Sequence, residues 1–404
     1  MHHNRQMKKN DFTQHRSISS RKCGWIKKTA ITAALLLTFS WSNAQSDNSD
    51  FERIKLGNKE VVYAGLSLSP DGKTLAVSAK KMEPIRLYDL QSKELIKEIN
   101  AGKWYPGSRI NYSATGKYLL LQELNFADLI ENKNRKLNFE VVDAASGRLV
   151  LKFEDVQDVM ITTNEQQLVS LDGNEITFWN LADGSKMKTF QVEGACDALA
   201  ISPDGQQIAV SHVVTPAQVK ADKRFHKKKK VMKMALKYKQ LVSFYDATSG
   251  KKTQTVSEYY DIVYRLRFSE DGSKLFVFQL PHIKVQTSKQ TLAYVSRVDA
   301  TTHEPLREGL TSQAVGQPDI RISGNKQYFA INSKGNRHQE IHLYNFEDGS
   351  LLKRFEMGSR IFEKSAEGDK LIKDSRPSFL FLPGDKEILI AMGNQLILWN
   401  INHE

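Results

Sequence analysis

The chain repeats one short pattern seven times, and the stretch from Leu66 to Ile99 shows it most completely. LSLS alternates apolar and polar residues, and in the following SPDGK Pro70 and Gly72 favour a tight turn; LAVS, IRLYDL and ELIKEI come next. Alternation with a period of two between turn residues predicts four antiparallel β-strands. Because one such sheet cannot bury both of its faces, the pattern also predicts stacked copies.

The other repeats keep the turn and the third strand but differ in the length of the segments between them. Their turns contain SATGK, TNEQQ, SPDGQ, SEDGS, SGNKQ and LPGDK. Each third strand carries an aromatic residue or valine at the same place: Tyr88, Val142, Trp179, Tyr245, Val298, Tyr344 and Trp399. Variable spacing around constant strands predicts insertions in loops and not a different fold.

The two ends of the repeat region predict how the ring closes. After Trp399 the seventh repeat lacks a fourth strand, whereas residues 51–56, FERIKL, form an orphan strand similar to the fourth strands LLKRF and LVLKF. If this strand completes the last blade, no long sheet edge remains exposed. The sequence therefore predicts an all-β fold over residues 45–404, a seven-bladed β-propeller of four-stranded antiparallel blades.

In these strings the chain resembles the WD-repeat propellers and their bacterial relatives, including the YVTN type of surface-protein propeller. The resemblance covers residues 51–404, although no repeat carries a Gly-His dipeptide or ends its third strand with Trp-Asp. It implies a scaffold that binds other proteins and, as in the bacterial relatives, an exported protein.

The first 44 residues are typical of a signal peptide. Residues 1–28 hold eight Lys or Arg against one acid, residues 29–41 are apolar, and Ser42-Asn43-Ala44 offers small residues for cleavage. The alternative is an uncleaved anchor, but the apolar run is shorter than the roughly 20 residues that span a bilayer. We therefore expect export to the periplasm, the outer envelope or the medium, with Cys196 as the remaining cysteine and no internal disulfide.

The net charge of +12 is concentrated in two segments. The leader contributes +7 and Lys220–Lys239 contributes +9, so the rest of the chain is slightly acidic. The second segment belongs to a predicted basic insertion at 215–239 in the fourth blade, and its centre is the run Lys227, Lys228, Lys229 and Lys230. It is suited to an anionic membrane surface or another polyanion, with Met232 and Leu236 on a surface helix, or else it is a mobile solvated loop. Nucleic acid is not an expected partner of an exported chain.

Long loops and blade connections are predicted to emerge together on one rim of the propeller. Besides the basic insertion they are the segments 123–136, 281–290 and 357–377. Trp104 and Tyr105 in one connection, and Tyr259 and Tyr260 in another, predict an exposed aromatic platform, unless they pack against the blades. We expect this rim to bind a protein or another partner of the cell envelope.

Four arginines share one side-chain direction in the predicted inner strands: Arg109, Arg265, Arg267 and Arg321. They could hold an anionic ligand in the central channel, or they could pair with Asp158, Asp197 and Asp319 and tie the blades together, which is the favoured interpretation. A propeller enzyme of the lactonase or dehydrogenase kind, the alternative to a binding scaffold, would use this cluster.

The sequence contains no local catalytic motif and no cysteine pair for zinc, and no cofactor is expected. In HQEIH, the residues His338, Glu340 and His342 would share one strand face and could ligate a metal. Packing of His342 between blades is the favoured alternative, so no metal is predicted.

Overall fold

The computed structural model describes residues 51–57, 60–124, 136–225, 228–282, 292–313, 319–334, 339–346, 350–357 and 377–401. Over these ranges the chain forms 28 β-strands, two α-helices and one short 3-10 helix. The predicted signal peptide, residues 1–44, lies outside the described residues. None of the helices in the described ranges is long and apolar enough to cross a membrane.

The strands form seven antiparallel sheets of four strands, as the sequence predicts. The first strand of the chain is β1 (Phe51–Ile54). Blade 1 contains β2 (Tyr63–Leu68), β3 (Thr74–Ala79), β4 (Ile85–Asp89) and β5 (Leu95–Ile99). Blade 2 contains β6 (Ser108–Tyr112), β7 (Tyr118–Glu123), β8 (Leu137–Asp143) and β9 (Leu149–Val156). Blade 3 contains β10 (Asp158–Ile161), β11 (Gln167–Asp172), β12 (Glu175–Asn180) and β13 (Lys186–Gln191).

The next two blades follow the same order, from the inner strand to the outer one. Blade 4 contains β14 (Cys196–Ile201), β15 (Gln207–Val213), β16 (Gln240–Asp246) and β17 (Lys252–Thr255). Blade 5 contains β18 (Ile262–Phe268), β19 (Lys274–Leu280), β20 (Leu292–Asp299) and β21 (Pro305–Gln313).

The last two blades complete the ring. Blade 6 contains β22 (Ile320–Ile322), β23 (Tyr328–Lys334), β24 (Gln339–Asn345) and β25 (Leu351–Met357). The chain contributes β26 (Ser378–Phe381), β27 (Glu387–Met392) and β28 (Gln395–Asn400) to blade 7.

Strand β1 supplies the fourth strand of blade 7, which confirms the predicted closure. It runs antiparallel to β28, with Phe51 opposite Trp399 and Ile54 opposite Leu396. The strand ends at Ile54 and not at Leu56, yet Leu56 is buried and packs in the apolar cluster shared by blades 1 and 7. The inner strands β2 and β26 also lie side by side, so the ring closes through both edges of blade 7.

The blades pack face to face through apolar clusters that each bridge two neighbours. Phe244 of blade 4 meets Phe268 of blade 5 edge-on, with ring centroids 6.3 Å apart, and Phe355 of blade 6 lies 5.1 Å from Trp399 of blade 7. Of the predicted third-strand positions, Trp179 alone is half-buried, and its indole nitrogen donates to Ser170 Oγ at 2.8 Å. The other six are buried: Tyr88, Val142, Tyr245, Val298, Tyr344 and Trp399.

The turn between the first two strands has the chemistry that the repeat predicts. In blade 1, Ser69 Oγ accepts the backbone N–H of Thr74 at 2.8 Å and donates to the carboxylate of Asp71 at 2.5 Å. Gly72 follows with φ at 73°, a conformation that costs glycine little. The hydrogen bonds from Ser69 and from the Lys73 backbone hold the pKa of Asp71 below its usual range.

Candidate functional site

The predicted basic insertion of blade 4 is a folded helical unit, which we call the helical insert (residues 215–239). It contains α1 (Pro216–Ala221), the 3-10 helix Lys223–Phe225 and α2 (Lys229–Tyr238). Thr215 caps α1: its hydroxyl accepts from the Gln218 N–H, and the Gln218 side chain accepts from the Thr215 N–H. The described part of this segment is therefore helical and not an irregular solvated loop.

The apolar side of α2 faces the propeller. Ala235 is buried with Val214, Val219 and Leu241, and Met232, Leu236 and Tyr259 pack against this cluster. A membrane-surface helix would need Met232 and Leu236 on its outer side. That part of the sequence interpretation is wrong, because these side chains dock the helix onto its own blade.

Polar contacts also attach the helical insert to the connection between blades 4 and 5. The guanidinium of Arg224 donates to the carbonyl of Ser257 at 2.5 Å and lies 5.1 Å above the ring of Tyr259. The same guanidinium hydrogen-bonds Asp222 at 2.7 Å and lowers the pKa of that carboxyl to about 2. Asp222 is thus ionised and engaged within the insert.

The end of α2 reaches blade 5. The ring of Tyr238 lies 4.7 Å from that of His282, and Lys239 Nζ pairs with Asp261 Oδ1 at 2.6 Å. Tyr238 is buried by this arrangement. The helical insert is therefore held at both ends, and its outer side has a fixed orientation.

That outer side is densely basic, and we call it the cationic face. Its members are exposed Lys and Arg side chains: Lys220, Lys223, Arg224, Lys228, Lys229, Lys230, Lys233 and Lys237. Lys227, the first residue of the predicted lysine run, lies outside the described residues. Val231 and Met234, 46% and 37% exposed, are the large apolar side chains that this surface offers to solvent. The cationic face is thus mainly an electrostatic surface.

The predicted aromatic platform is not assembled. Tyr105 is 72% exposed, but Trp104 is half-buried in the cluster between blades 1 and 2. Tyr259 lies beneath Arg224, and Tyr260, 1% exposed, belongs to the core between blades 4 and 5. Tyr260 is therefore not a rim residue, and Tyr105 is separated from the other pair by the blades between their connections.

The predicted channel arginines do converge, and they do so around one carboxylate. Arg321 Nη2 lies 3.3 Å from Asp319 Oδ2, and Arg265 Nη1 lies 3.9 Å from Asp319 Oδ1. Arg109 lines the same small cavity as Asp319 and Arg321. Arg321 also donates to the carbonyl of Leu66 at 3.3 Å, which connects blade 6 to blade 1 across the channel. These contacts bring together residues from blades that are far apart in sequence.

The charges in this cluster shift the pKa values of its members. Burial raises the pKa of Asp319, but the charges of Arg321, Arg109 and Arg265 outweigh it, so the pKa lies below its usual range. Desolvation and the repulsion of Arg265 and Arg321 lower the pKa of Arg267. Asp319 is therefore an anion and Arg267 a cation at neutral pH.

The other two predicted aspartates hold backbone and amide groups between blades. Asp158 Oδ2 accepts the N–H of Leu199 at 3.1 Å, which connects blade 3 to blade 4. Asp197 accepts the side-chain amide of Gln240, whose carbonyl oxygen in turn accepts the N–H of Val263 in blade 5 at 2.7 Å. Both carboxylates connect neighbouring blades through these backbone and amide donors, whereas the favoured interpretation expected them to pair with arginines.

A cleft opens beside the arginines, between blades 5 and 6, with a cavity volume of about 300 Å³. Arg265, Arg267 and Arg321 lie at its channel end. One wall is apolar and is formed by Phe268, Phe276, Phe278, Ile320, Ile322 and Phe346. Sequence analysis missed this wall, although the alternating phenylalanines of KLFVFQL were its signal.

The predicted metal ligands can be placed only in part. His342 Nε2 contacts Glu340 Oε2 at 2.5 Å, and both side chains project from the same face of β24, but His338 lies outside the described residues. Across the described ranges there is no group of three His, Cys, Asp or Glu side chains that could hold a metal ion.

Comparisons with known proteins bear on the fold alone. No protein-family model and no curated protein matches the chain. Among solved structures, the β-propeller domain of Myceliophteria thermophila Cps50 (Swd1) is similar with a TM-score of 0.58 at 12% identity, covering 87% of this chain and all of that one. Hydrazine synthase of Kuenenia stuttgartiensis is similar with a TM-score of 0.55 at 12% identity, over 87% of this chain and 99% of that one. The chain is thus a seven-bladed β-propeller.

Proposed function

We propose that this protein is an exported, non-enzymatic propeller scaffold that binds an acidic protein partner in the cell envelope. The observation that carries the proposal is the cationic face: eight exposed bases on a helical unit fixed to the rim. Loops held by a rigid scaffold are common binding surfaces, and a fixed orientation reduces the entropy lost on binding. Export is supported by the basic leader, the apolar run 29–41 and the small residues that end at Ala44.

A protein surface fits the cationic face better than a bilayer does. Interfacial helices bind membranes by burying apolar side chains below the lipid headgroups. In α2 the apolar side chains Met232, Ala235 and Leu236 are already packed against the blade. What remains outside, apart from Val231 and Met234, is charge, which complements a carboxylate-rich surface.

The channel cluster supports binding better than acid–base catalysis. A catalytic base works best with a pKa near the operating pH. The charges of Arg321, Arg109 and Arg265 lower the pKa of Asp319, the carboxylate beside them, and so move it away from neutral pH. It is therefore a weak base, which favours the scaffold over the lactonase or dehydrogenase alternative.

Neutralising the cationic face should weaken its binding to acidic polypeptide. We expect Lys229→Gln with Lys230→Gln and Lys233→Gln to reduce affinity for poly-L-glutamate about tenfold at low salt, because exposed ion pairs contribute about 0.2–1 kcal/mol each. Salt should weaken wild-type binding more than that of the variant, because the Debye length falls from about 10 Å at 0.1 M to 3 Å at 1 M. Fluorescence titration measures both effects.

The matched control removes the same charge from the opposite end of the blades. Lys73→Gln, Lys251→Gln and Lys386→Gln alter exposed residues in turns between the first two or the last two strands of a blade, whereas the helical insert joins a second strand to a third. An equal loss of affinity in both variants would show that net charge, and not the cationic face, binds the probe. Binding to phosphatidylglycerol vesicles without binding to poly-L-glutamate would instead indicate a membrane.

The export half of the proposal is tested by the N-terminus of the protein isolated from the cell envelope. We expect mass spectrometry to show a chain that begins after Ala44, because small residues precede signal-peptidase cleavage. Retention of residues 29–41 in that fraction would contradict cleavage and indicate an anchor. Recovery of the protein only from the cytoplasm would contradict export.

A further inference from the structure

The cleft between blades 5 and 6 combines a charged end with an apolar wall on a single sheet face. In blade 5, Arg267 lies directly opposite Phe276 and Arg265 directly opposite Phe278 across the β18–β19 pair. Directly opposed residues of an antiparallel pair project from the same face. Both arginines and both phenylalanines therefore face the cleft, the arginines on the inner strand and the phenylalanines beside them.

The arginines leave donors for a ligand. Among the described residues, Arg267 has no hydrogen bond and no ion pair within 4 Å, and Arg321 Nε, which is a buried atom, has no hydrogen-bond partner. The Arg267 side chain is exposed to solvent, and the charges of Arg265 and Arg321 repel it whereas those of Glu270 and Asp319 attract it. Three arginines line this end of the cleft, so an oxyanion that accepts their charge-assisted hydrogen bonds would offset the repulsion among them.

The charge balance of the lining also favours an anion. The cleft is lined by five basic side chains, three Arg and two Lys, against two carboxylates, Glu270 and Asp271. Asp271 is engaged by the hydroxyls of Ser269 and Ser273, and Glu270 pairs with Lys326 at 3.3 Å. Both carboxylates therefore have partners, while Arg267 has none of this kind.

The apolar wall indicates what the rest of the ligand is. Ile322, at 36% exposed, is an inner-strand side chain that the blades leave uncovered, and it lines the cleft. Phe346 lies 5.8 Å from Phe276 across the blades, so the two rings close the wall on the outer side. A volume of about 300 Å³ is at the lower end for small-molecule sites, which are typically apolar with few polar groups.

We propose that this cleft binds a small amphipathic organic anion. Its carboxylate or phosphate group is held by Arg267 and Arg321, and its apolar body lies against Phe276, Phe278 and Ile322. The turns 269–273 and 323–326 that border the cleft join first to second strands, so they lie at the opposite end of the blades from the helical insert. This site is therefore independent of the protein-binding surface proposed above.

Calorimetric titration of the purified full-length protein tests the site with defined probes. 1-Naphthyl phosphate and 1-naphthoate have the same apolar ring system and differ in the anionic group. 1-Naphthol lacks the anionic group, and inorganic phosphate lacks the apolar part. We expect one of the naphthyl anions to bind at least tenfold more tightly than 1-naphthol and than inorganic phosphate. The tighter of the two identifies the head group.

Variants locate the binding. Arg267→Gln should weaken binding of the preferred anion about tenfold, because it removes a charge-assisted hydrogen bond. The affinity of Arg267→Lys should lie between those of wild type and Arg267→Gln, because lysine keeps the charge but not the paired donors of the guanidinium. Ile322→Gln should weaken binding of the naphthyl anion and leave the affinity for inorganic phosphate unchanged. Arg148→Gln, an exposed arginine in a turn of blade 2, is the matched control and should bind as wild type.

Two results would overturn the proposal. One is wild-type protein that binds neither naphthyl anion more tightly than 1-naphthol. The other is equal affinity in Arg267→Gln and Arg148→Gln at unchanged melting temperature. If Arg267→Gln lowers the melting temperature, the affinity of Ile322→Gln for the naphthyl anion becomes the test. Full affinity in that variant would show that the anion does not lie on this wall.

Discussion

Deleting residues 51–56 is expected to lower the free energy of unfolding by about 5 kcal/mol or more, because each large apolar side chain removed from a core costs about 2–5 kcal/mol. The deletion removes Phe51, Ile54 and Leu56, which pack against blades 6, 7 and 1. Phe51 contacts the ring of Phe355 edge-on at 6.4 Å. The deletion also leaves β28 as an unpaired sheet edge, which favours aggregation.

Urea unfolding and thermal melting of the deletion and the intact protein measure this effect. The matched control is Glu52→Ala with Lys55→Ala, which alters two exposed residues of the same segment and should change stability by about 0.5 kcal/mol or less. A deletion variant that unfolds at the same urea concentration as the intact chain would show that blade 7 does not need β1.

The blades were predictable from sequence because the repeat encodes them locally. Alternating residues on each strand, and turns such as Ser69–Gly72, specify the strand and its register without reference to the rest of the chain. Closure was predictable for the same reason, since FERIKL reads as a strand that lacks its own blade. The exact end of β1 was not, because Leu56 is buried in the apolar cluster shared by blades 1 and 7, with Tyr88 and Leu389, and not by strand pairing.

The sites depend on contacts that no local pattern specifies. Met232 and Leu236 show amphipathic spacing, but spacing does not say whether the apolar side meets a membrane or the blade. Tyr260 sits in a polar connection and is nevertheless core, because Gln240 pairs with its backbone and draws it inward. Strand alternation did predict that the arginines converge, yet it could not show the width of the gap between blades 5 and 6.

The two proposed surfaces would give the propeller separate functions at its two ends. The cationic face lies on the rim that carries second-to-third-strand loops, and the cleft lies among the first-to-second-strand turns. The arginine cluster lies between them, with Asp319 before β22 and Arg267 near the end of β18. The stability of this cluster therefore matters for the shape of the channel between both ends.

Asp319→Ala should lower the free energy of unfolding by about 3 kcal/mol at neutral pH, because removing one partner of a buried ion pair leaves the other charge uncompensated. Here one carboxylate, 8% exposed, is shared by Arg265 and Arg321 and is also influenced by Arg109. Urea unfolding at neutral pH measures the change. The control is Asp172→Ala, which removes an exposed carboxylate 3.2 Å from Lys136 and should lower the free energy of unfolding by about 1 kcal/mol or less.

The pH dependence of the Asp319 effect distinguishes charge from packing. Since the pKa of Asp319 is lowered in the folded protein, its contribution is complete above the unfolded value of about 4 and is lost as the pH falls through the lower folded value. The stability difference between Asp319→Ala and wild type should therefore be constant from neutral pH down to about pH 4 and shrink below it. A difference that stays constant into stronger acid would contradict the ionic role and leave only the lost packing of the side chain.

Added phosphate should stabilise the variant more than wild type, because the arginines would then bind the anion in place of Asp319.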